Sequence, residues 1–213
     1  DRITTNAGST KAGVNAALTS APGITGTVTA ASGGAGLSGV WVYALDPSGN
    51  EVGDTTTDSS GTYAITDLPA GSYTVCFDSS NASGGSSVTG YLSQCYKNVP
   101  WDGSWSDIPS GTTPVTAKVG LTGINASIAS AGGISGTVSA ASGGAEVSGV
   151  TVQAYDANGN PVGTQPTTAT NGTYTLGGLS TGSYTVCFSA SGATGGSSTS
   201  GYLSQCYNHI AWD

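Results

Sequence analysis

One block of sequence occurs twice in this chain, as GSYTVCFDSSNASGGSSVTGYLSQCY (residues 71–96) and GSYTVCFSASGATGGSSTSGYLSQCY (residues 182–207). Each copy holds two short apolar runs, a Gly/Ser-rich loop between them and one cysteine in each run. The repeat extends beyond the block, since GITGTVTAASGGA (residues 23–35) matches GISGTVSAASGGA (residues 133–145). A repeat of about 100 residues has the size of a small β-sandwich, so the sequence predicts two tandem modules.

Short apolar runs with a period of two alternate with turn residues along both modules. Val40, Val42 and Ala44 share one face of a predicted strand, and a Pro/Gly-containing turn follows at residues 46–50. This pattern is typical of an antiparallel all-β sandwich and argues against a disordered Gly/Ser linker. We assign residues 1–20 to an extra N-terminal strand, 21–130 to module 1 and 131–213 to module 2. Both modules are predicted to be Greek-key sandwiches with no helix longer than a turn.

The charge content excludes several classes of partner. Only 8% of the residues are charged, against about 25% in a typical protein. Four Lys and Arg residues in a chain of net charge −8 form neither a phosphate-binding stripe nor a patch for anionic lipid. No apolar run approaches the ~20 residues of a membrane span. No signal peptide is visible, so we expect a mature protein or an excised segment.

The four cysteines fall as one pair in each module. Cys76 and Cys95 are separated by 19 positions, as are Cys187 and Cys206. None of them has His or Cys neighbours at metal-ligand spacing, so disulfides within each module are favoured over zinc ligands, and buried free thiols are the alternative. Disulfides are typical of an extracellular or otherwise oxidising location.

The motif GxIxGTV…SGVxVxAxDxxGN…TxxxGTYxIxxLxxGSYxVCF…GYLSQCY covers nearly all of residues 23–213. It resembles the carboxypeptidase-regulatory-like and transthyretin-like β-sandwiches, to which the B-type repeats of bacterial collagen adhesins are close in fold. The resemblance implies an extracellular Greek-key sandwich of about seven strands that serves as a stalk, spacer or adhesion module. Some family members carry a Lys–Asn isopeptide bond. The matching first strands here contain no Lys, so that bond is not expected, and the disulfide is the candidate staple.

One strand lies in an unexpected place. Module 1 is predicted to end with strands over residues 114–128, and module 2 has no counterpart of them within residues 131–213. Instead, VNAALTSAPGI (residues 14–24) aligns with INASIASAGGI (residues 124–134). The N-terminal segment therefore corresponds to a last strand with no sandwich before it, and module 2 to a sandwich without its last strand. Such a sandwich exposes apolar surface and an unpaired strand edge, which favours association.

Three interpretations follow from this arrangement. Residues 1–20 insert into module 2 of a neighbouring molecule, as in donor-strand complementation, and build a head-to-tail filament. Alternatively, the chain is part of a longer tandem array whose next strand follows in cis, or the N-terminus folds back onto its own module 2. In the first case the inserted side chains are those of Val14, Ala16 and Leu18, and the pairing extends to Ile3, Thr5 and Ala7.

The residues that usually carry catalysis are sparse. The single histidine, His209, is replaced by Asn98 in module 1, and Glu51 and Glu146 lie far apart in the repeat. No Ser/His/Asp order, general-acid pair or phosphate loop is present. Asp46-x-Ser48-x-Asn50 faintly resembles the start of a calcium loop, but a hairpin turn is favoured. We therefore predict no enzyme activity, no cofactor and no metal.

Two kinds of surface feature remain as candidates. Trp41 alternates with the inward-facing Val40 and Val42, so it is predicted to face outward as a contact surface, unless the loop at residues 100–111 covers it. Its counterpart in module 2 is Thr151. Three N-glycosylation motifs are present, at Asn81, Asn125 and Asn171.

The leading hypothesis is an extracellular or cell-surface structural protein that polymerises with copies of itself into a pilus-like filament. The N-terminal segment of one copy completes module 2 of the next. This hypothesis includes no nucleic-acid partner and no membrane insertion. The competing hypothesis is a stalk or binding segment of a longer secreted adhesin, or an accessory module of a secreted enzyme, that recognises glycan or protein through Trp41.

Overall fold

A computed structural model describes residues 2–103 and 108–212. The described residues form short β-strands and one three-residue 3-10 helix, η1 (Tyr207–His209). None of their helices is long and apolar enough to cross a membrane. Module 1 contains β1 (Ile24–Ala30), β2 (Trp41–Leu45), β3 (Glu51–Thr56), β4 (Thr62–Ile65), β5 (Ser72–Asp78), β6 (Gln94–Cys95), β7 (Val99–Pro100), β8 (Val115–Thr116) and β9 (Ala126–Ile128). Module 2 contains β10 (Gly132–Thr137), β11 (Val147–Ser148), β12 (Thr151–Tyr155), β13 (Pro161–Val162), β14 (Thr173–Leu179), β15 (Thr185–Ser189), β16 (Thr194–Gly195), β17 (Gln205–Cys206) and β18 (Ile210–Ala211).

Two sheets enclose the core of module 1. One has the order β3-β2-β5-β6-β7, with β8 also paired to β5, and the other has the order β4-β1-β9. In β1 every second residue is buried, as the predicted alternation requires. The fully buried side chains between the sheets include those of Ile24, Val28, Val42, Val75 and Phe77. The predicted sandwich is therefore confirmed for this module.

The outer face of β5 is also covered, which the apolar alternation did not predict. Cys76 and Cys95 form a disulfide between paired positions of β5 and β6, and Trp101 packs over it. Cys187 and Cys206 form the equivalent bond between β15 and β17. Each disulfide therefore joins adjacent strands of one sheet.

Module 2 repeats this plan with a smaller core. Its sheets have the orders β13-β12-β15-β17-β18, β10-β14 and β11-β16. The buried residues divide into two clusters, one around Val152 and Leu176 and a smaller one around Val147 and Val150. Module 2 is therefore an all-β sandwich whose two halves are less continuous than in module 1.

The structure refines the predicted strands. Residues 2–20 form no strand and lie exposed in the isolated chain, so the N-terminal strand stays a prediction that requires a partner edge. The second apolar run of the repeated block forms only a short strand, β6 (Gln94–Cys95), because the residues before it belong to a loop. The predicted all-antiparallel pairing also has an exception, since β9 lies parallel to β1.

Candidate functional site

The last strand of module 1 defines what completes a module of this fold. β9 pairs with the end of β1 in the register Val28 to Ala126 and Ala30 to Ile128. Ile124, Ala126 and Ile128 are buried in the module 1 core. The backbone N–H of Ile124 donates to Thr25 O over 3.1 Å, and the N–H of Ala31 donates to Ile128 O over 2.8 Å. Residues 124–128 therefore satisfy the edge of β1 and fill one side of the core.

Polar contacts secure this segment to its module. The hydroxyl of Tyr63 donates to the carbonyl oxygen of Ile124 over 2.6 Å, and the backbone N–H of Thr27 donates to Oδ1 of Asn125 over 2.9 Å. Burial raises the pKa of Tyr63, so its hydroxyl stays protonated and able to donate. Gly26 is required here because a Cβ at this position would collide with Ile124 O.

In module 2 the same position is an open groove of about 780 Å³. Val138 and Ala140, the counterparts of Val28 and Ala30, lie along it. On one edge the N–H of Val147 in β11 donates to Val138 O over 3.0 Å, and on the opposite edge no described strand pairs with these residues. Phe188, whose counterpart Phe77 is fully buried, is only partly covered. β10 ends at Thr137, before Val138, where β1 of module 1 continues to Ala30. The strand is shorter because no strand among residues 2–103 and 108–212 pairs with its outer edge.

The polar groups that would hold a strand in this groove are in place. Tyr174, Gly136 and Thr137 correspond to Tyr63, Gly26 and Thr27 of module 1. Burial raises the pKa of Tyr174 as it does for Tyr63, and no hydrogen bond joins the Tyr174 hydroxyl to another described residue. A Cβ at Gly136 would lie 3.0 Å from Tyr174 Oη. Module 2 therefore retains the tyrosine and the glycine that module 1 uses beside Ile124.

The N-terminal segment carries the side chains that match these groups. Val14, Asn15, Ala16 and Leu18 correspond to Ile124, Asn125, Ala126 and Ile128. Val14 is 58% exposed and Leu18 is 93% exposed, and residues 2–20 make no hydrogen bond to module 2 among the described residues. The N-terminal segment and the groove of module 2 therefore lie apart in the isolated chain. The N-terminus does not fold back onto module 2 of its own chain.

The first part of the segment corresponds to β8. Thr5 and Ala7 align with Val115 and Ala117, which are buried in module 1, and Ile3 aligns with Thr113. β8 pairs with Ser72 and Tyr73 of β5, and their counterparts in module 2, Ser183 and Tyr184, directly precede β15. Ile3 is exposed in the structure, and its pairing stays a prediction.

A second candidate surface surrounds Trp41 on the outer face of β2. Trp41 is 37% exposed and stacks on Tyr43, with ring centroids 6.1 Å apart and an interplanar angle of 7°. Tyr43 in turn contacts the edge of the buried Trp101. Trp41 therefore faces outward beside the covering loop. Trp105, in the same loop, lies outside the described residues.

The other predicted sites have simple local roles. The Asn50 side-chain amide donates to the Asp46 carboxylate, and the backbone N–H groups of Asn50 and Ser48 donate to it as well. These hydrogen bonds lower the pKa of Asp46 and form a turn. No group of three metal-binding side chains occurs among the described residues. The asparagines of the three glycosylation motifs, Asn81, Asn125 and Asn171, are all exposed. Oδ1 of Asn125 and Oδ1 of Asn171 each accept a hydrogen bond from within the chain. Glycosylation at these positions stays a prediction.

Comparison with protein families decides the classification of both modules. Residues 23–98 and 133–203 each match the carboxypeptidase regulatory-like domain. The chain belongs to the carboxypeptidase regulatory-like domain family. This confirms the resemblance inferred from the repeated motif. The matched regions of both carboxypeptidase regulatory-like domains exclude residues 1–20 and β9, so the family pattern itself does not describe the completing strand.

Solved structures with related folds are distant from this carboxypeptidase regulatory-like chain. The Bacillus anthracis TIE protein is 17% identical with a TM-score of 0.32, over 80% of this chain and 28% of its own. A streptococcal ancillary pilin is 12% identical with a TM-score of 0.40, over 91% and 61%. The shaft pilin SpaA of Lactobacillus rhamnosus GG is 9% identical with a TM-score of 0.46, over 92% and 95%. No curated protein matches the sequence.

Proposed function

We propose that this protein is the subunit of an extracellular, pilus-like filament, in which residues 1–20 of one molecule complete module 2 of the next. The observation that carries this proposal is the match between the open groove of module 2 and the occupied position in module 1. The N-terminal segment has side chains equivalent to those of the last strand of module 1. Module 2 has residues equivalent to those that hold this strand in module 1.

The expected geometry follows from module 1 by residue correspondence. Ala16 pairs with Val138 and Leu18 with Ala140, in parallel, and the Tyr174 hydroxyl donates to the carbonyl oxygen of Val14. Burial of Val14 and Leu18 contributes about 1.5–3 kcal/mol each, and each backbone hydrogen bond adds about 0.5–1.5 kcal/mol net. Since each molecule donates at one end and accepts at the other, assembly is head to tail and open-ended.

The composition is compatible with a fibre outside the cell. Each module carries a disulfide, which persists in oxidising surroundings. Low charge and abundant Gly, Ser and Thr fit a structural role, and the proposal includes no chemical reaction.

Negative-stain electron microscopy tests this function. We expect long filaments from the full chain and monomers from a chain that lacks residues 1–20. Monomers in both samples would contradict the proposal and favour a strand that follows in cis as the occupant of the groove.

A second candidate function is recognition of a glycan or protein ligand through Trp41. The observation that favours it is the exposed indole, stacked on Tyr43 in module 1 only. We expect Trp41→Ala to abolish binding on a glycan array, while Thr151→Ala, at the equivalent position of module 2, leaves it unchanged. If the unaltered protein binds no glycan on the array, glycan recognition is excluded.

A further inference from the structure

The two modules of one chain meet through a loop of module 1. The carbonyl oxygen of Thr89 accepts a hydrogen bond from the N–H of Gly178 over 2.8 Å, and the Thr89 hydroxyl donates to Ala131 O over 2.5 Å. Thr89 lies at the tip of the loop between β5 and β6. The tip of module 1 therefore docks on the end of module 2 at which β10 begins and β14 ends.

Two glycines make this close approach feasible. A Cβ at Gly177 would lie 2.5 Å from Thr89 O, and a Cβ at Gly133 would lie 2.5 Å from Thr89 Cγ2. Both distances are shorter than real Cβ contacts, so side chains at these two positions would push the loop away. The surface of module 2 that contacts the loop tip therefore requires glycine at positions 133 and 177.

Module 2 carries the same loop, already folded. The Ser198 hydroxyl donates to Gly201 O over 2.7 Å, as the Ser87 hydroxyl donates to Gly90 O over 2.6 Å. The Tyr202 hydroxyl donates to Gly195 O, as that of Tyr91 does to Gly84 O. Ser200 stands at the position of Thr89 and is exposed. This second loop tip has the conformation of the first and no module to dock on within the described residues.

Module 1 carries the matching surface. A hollow of about 320 Å³ is lined by Pro22, Gly23, Thr66 and Asp67, among others. Gly23 corresponds to Gly133, and Asp67 corresponds to Gly178. Asp67 has a φ of 60° and Gly178 a φ of 75°, so both adopt the left-handed conformation. A non-glycine residue rarely adopts it, so the backbone at Asp67 keeps the left-handed conformation of Gly178 without a glycine.

We propose that the loop tip at residues 198–201 of one molecule docks in this hollow of the molecule whose N-terminal segment it receives. Ser200 O accepts from the Asp67 N–H, and the Ser200 hydroxyl donates to Ala21 O. This inference rests on the proposed function, because the inserted segment brings the two surfaces together. The partner is a second copy of this chain, and the docked loop orients successive molecules.

The joint between molecules differs from the joint within one molecule most at position 66. Thr66 replaces Gly177, so its Cβ stands where the loop backbone approaches most closely. The joint between molecules is therefore wider than the joint within a molecule, and the two alternate along the filament.

Cysteine cross-linking tests the contact in the full-length protein. In the intramolecular joint, a Cβ at Gly177 would lie 3.1 Å from the Cα of Thr89. The equivalent pair, Thr66→Cys with Ser200→Cys, is therefore within disulfide range even in a slightly wider joint. Oxidised filaments of this double variant should run as a ladder of covalent multimers on non-reducing gels. The matched control is Thr66→Cys with Asn158→Cys, which should give no ladder. Asn158 follows the C-terminal end of β12, whereas residues 198–201 belong to the loop that begins beside the N-terminal end of β12.

Hydrogen exchange provides a test that needs no substitution. The Asp67 amide should exchange more slowly in wild-type filaments than in monomers that lack residues 1–20. Filaments in which this amide is unprotected and positions 66 and 200 do not cross-link would overturn the docking contact and leave strand insertion standing. If the full chain forms no filaments, both proposals fail.

Discussion

Replacing Leu18 by aspartate should abolish filament formation, whereas the same change at Ala17 should leave it intact. The counterpart of Leu18, Ile128, is fully buried, so a carboxylate at position 18 would have to enter an apolar core. Burial of an unpaired charge costs far more than the side-chain burial contributes. The counterpart of Ala17 is Ser127, which is exposed, so the added charge stays in water.

The comparison is controlled because both variants gain the same charge at adjacent positions. Leu18 is exposed in the monomer, so thermal unfolding of monomeric Leu18→Asp should match that of the wild type. Filament yield is measured by sedimentation and microscopy. Normal filaments from Leu18→Asp would mean that this side chain does not enter the groove.

Alanine at Gly136 should block assembly, while alanine at Gly26 should destabilise module 1. The methyl group at position 26 would collide with the backbone oxygen of Ile124, and overpacking of this kind typically costs about 1–3 kcal/mol. In the monomer, a Cβ at position 136 would lie 3.0 Å from Tyr174 Oη, the far end of a side chain that is only partly buried. In the filament it would meet the carbonyl oxygen of Val14.

Thermal unfolding and filament yield separate the two effects. We expect Gly26→Ala to lower the unfolding temperature of module 1, and Gly136→Ala to change monomer unfolding little while filaments are lost. Wild-type assembly by Gly136→Ala would show that no backbone approaches this edge as Ile124 approaches β1.

Local patterns made much of the sandwich predictable from the sequence. The alternation of Val40, Val42 and Ala44 corresponds to a β2 region buried on one face, and the spacing of each cysteine pair corresponds to a cross-strand disulfide. These features depend on neighbouring residues or on one tight loop. The repeat itself located the N-terminal segment and the module it fits.

Features set by long-range contacts were not predictable. The parallel pairing of β9 with β1 joins residues from opposite ends of module 1. Residues 14–18 have the strand period but form no strand, because a strand needs a hydrogen-bonding partner. The role of Gly177 was hidden as well, since it depends on contact with Thr89, far away in the sequence. The one signal in the sequence was that Gly177 of module 2 corresponds to Thr66 of module 1, which marks a position where only one copy of the repeat needs a glycine.

The most direct test of the central claim is binding of a peptide with the sequence of residues 1–20 to the chain that lacks residues 1–20. That truncated chain should fold, because the removed residues make no hydrogen bond to either module among the described residues. We expect one peptide to bind per chain and to stabilise module 2, by about 2.7 kcal/mol at a free concentration of 100 times the Kd. A peptide with aspartate in place of Leu18 should not bind. If the wild-type peptide neither binds nor raises the unfolding temperature of module 2, the groove is not its site and the filament mechanism is wrong.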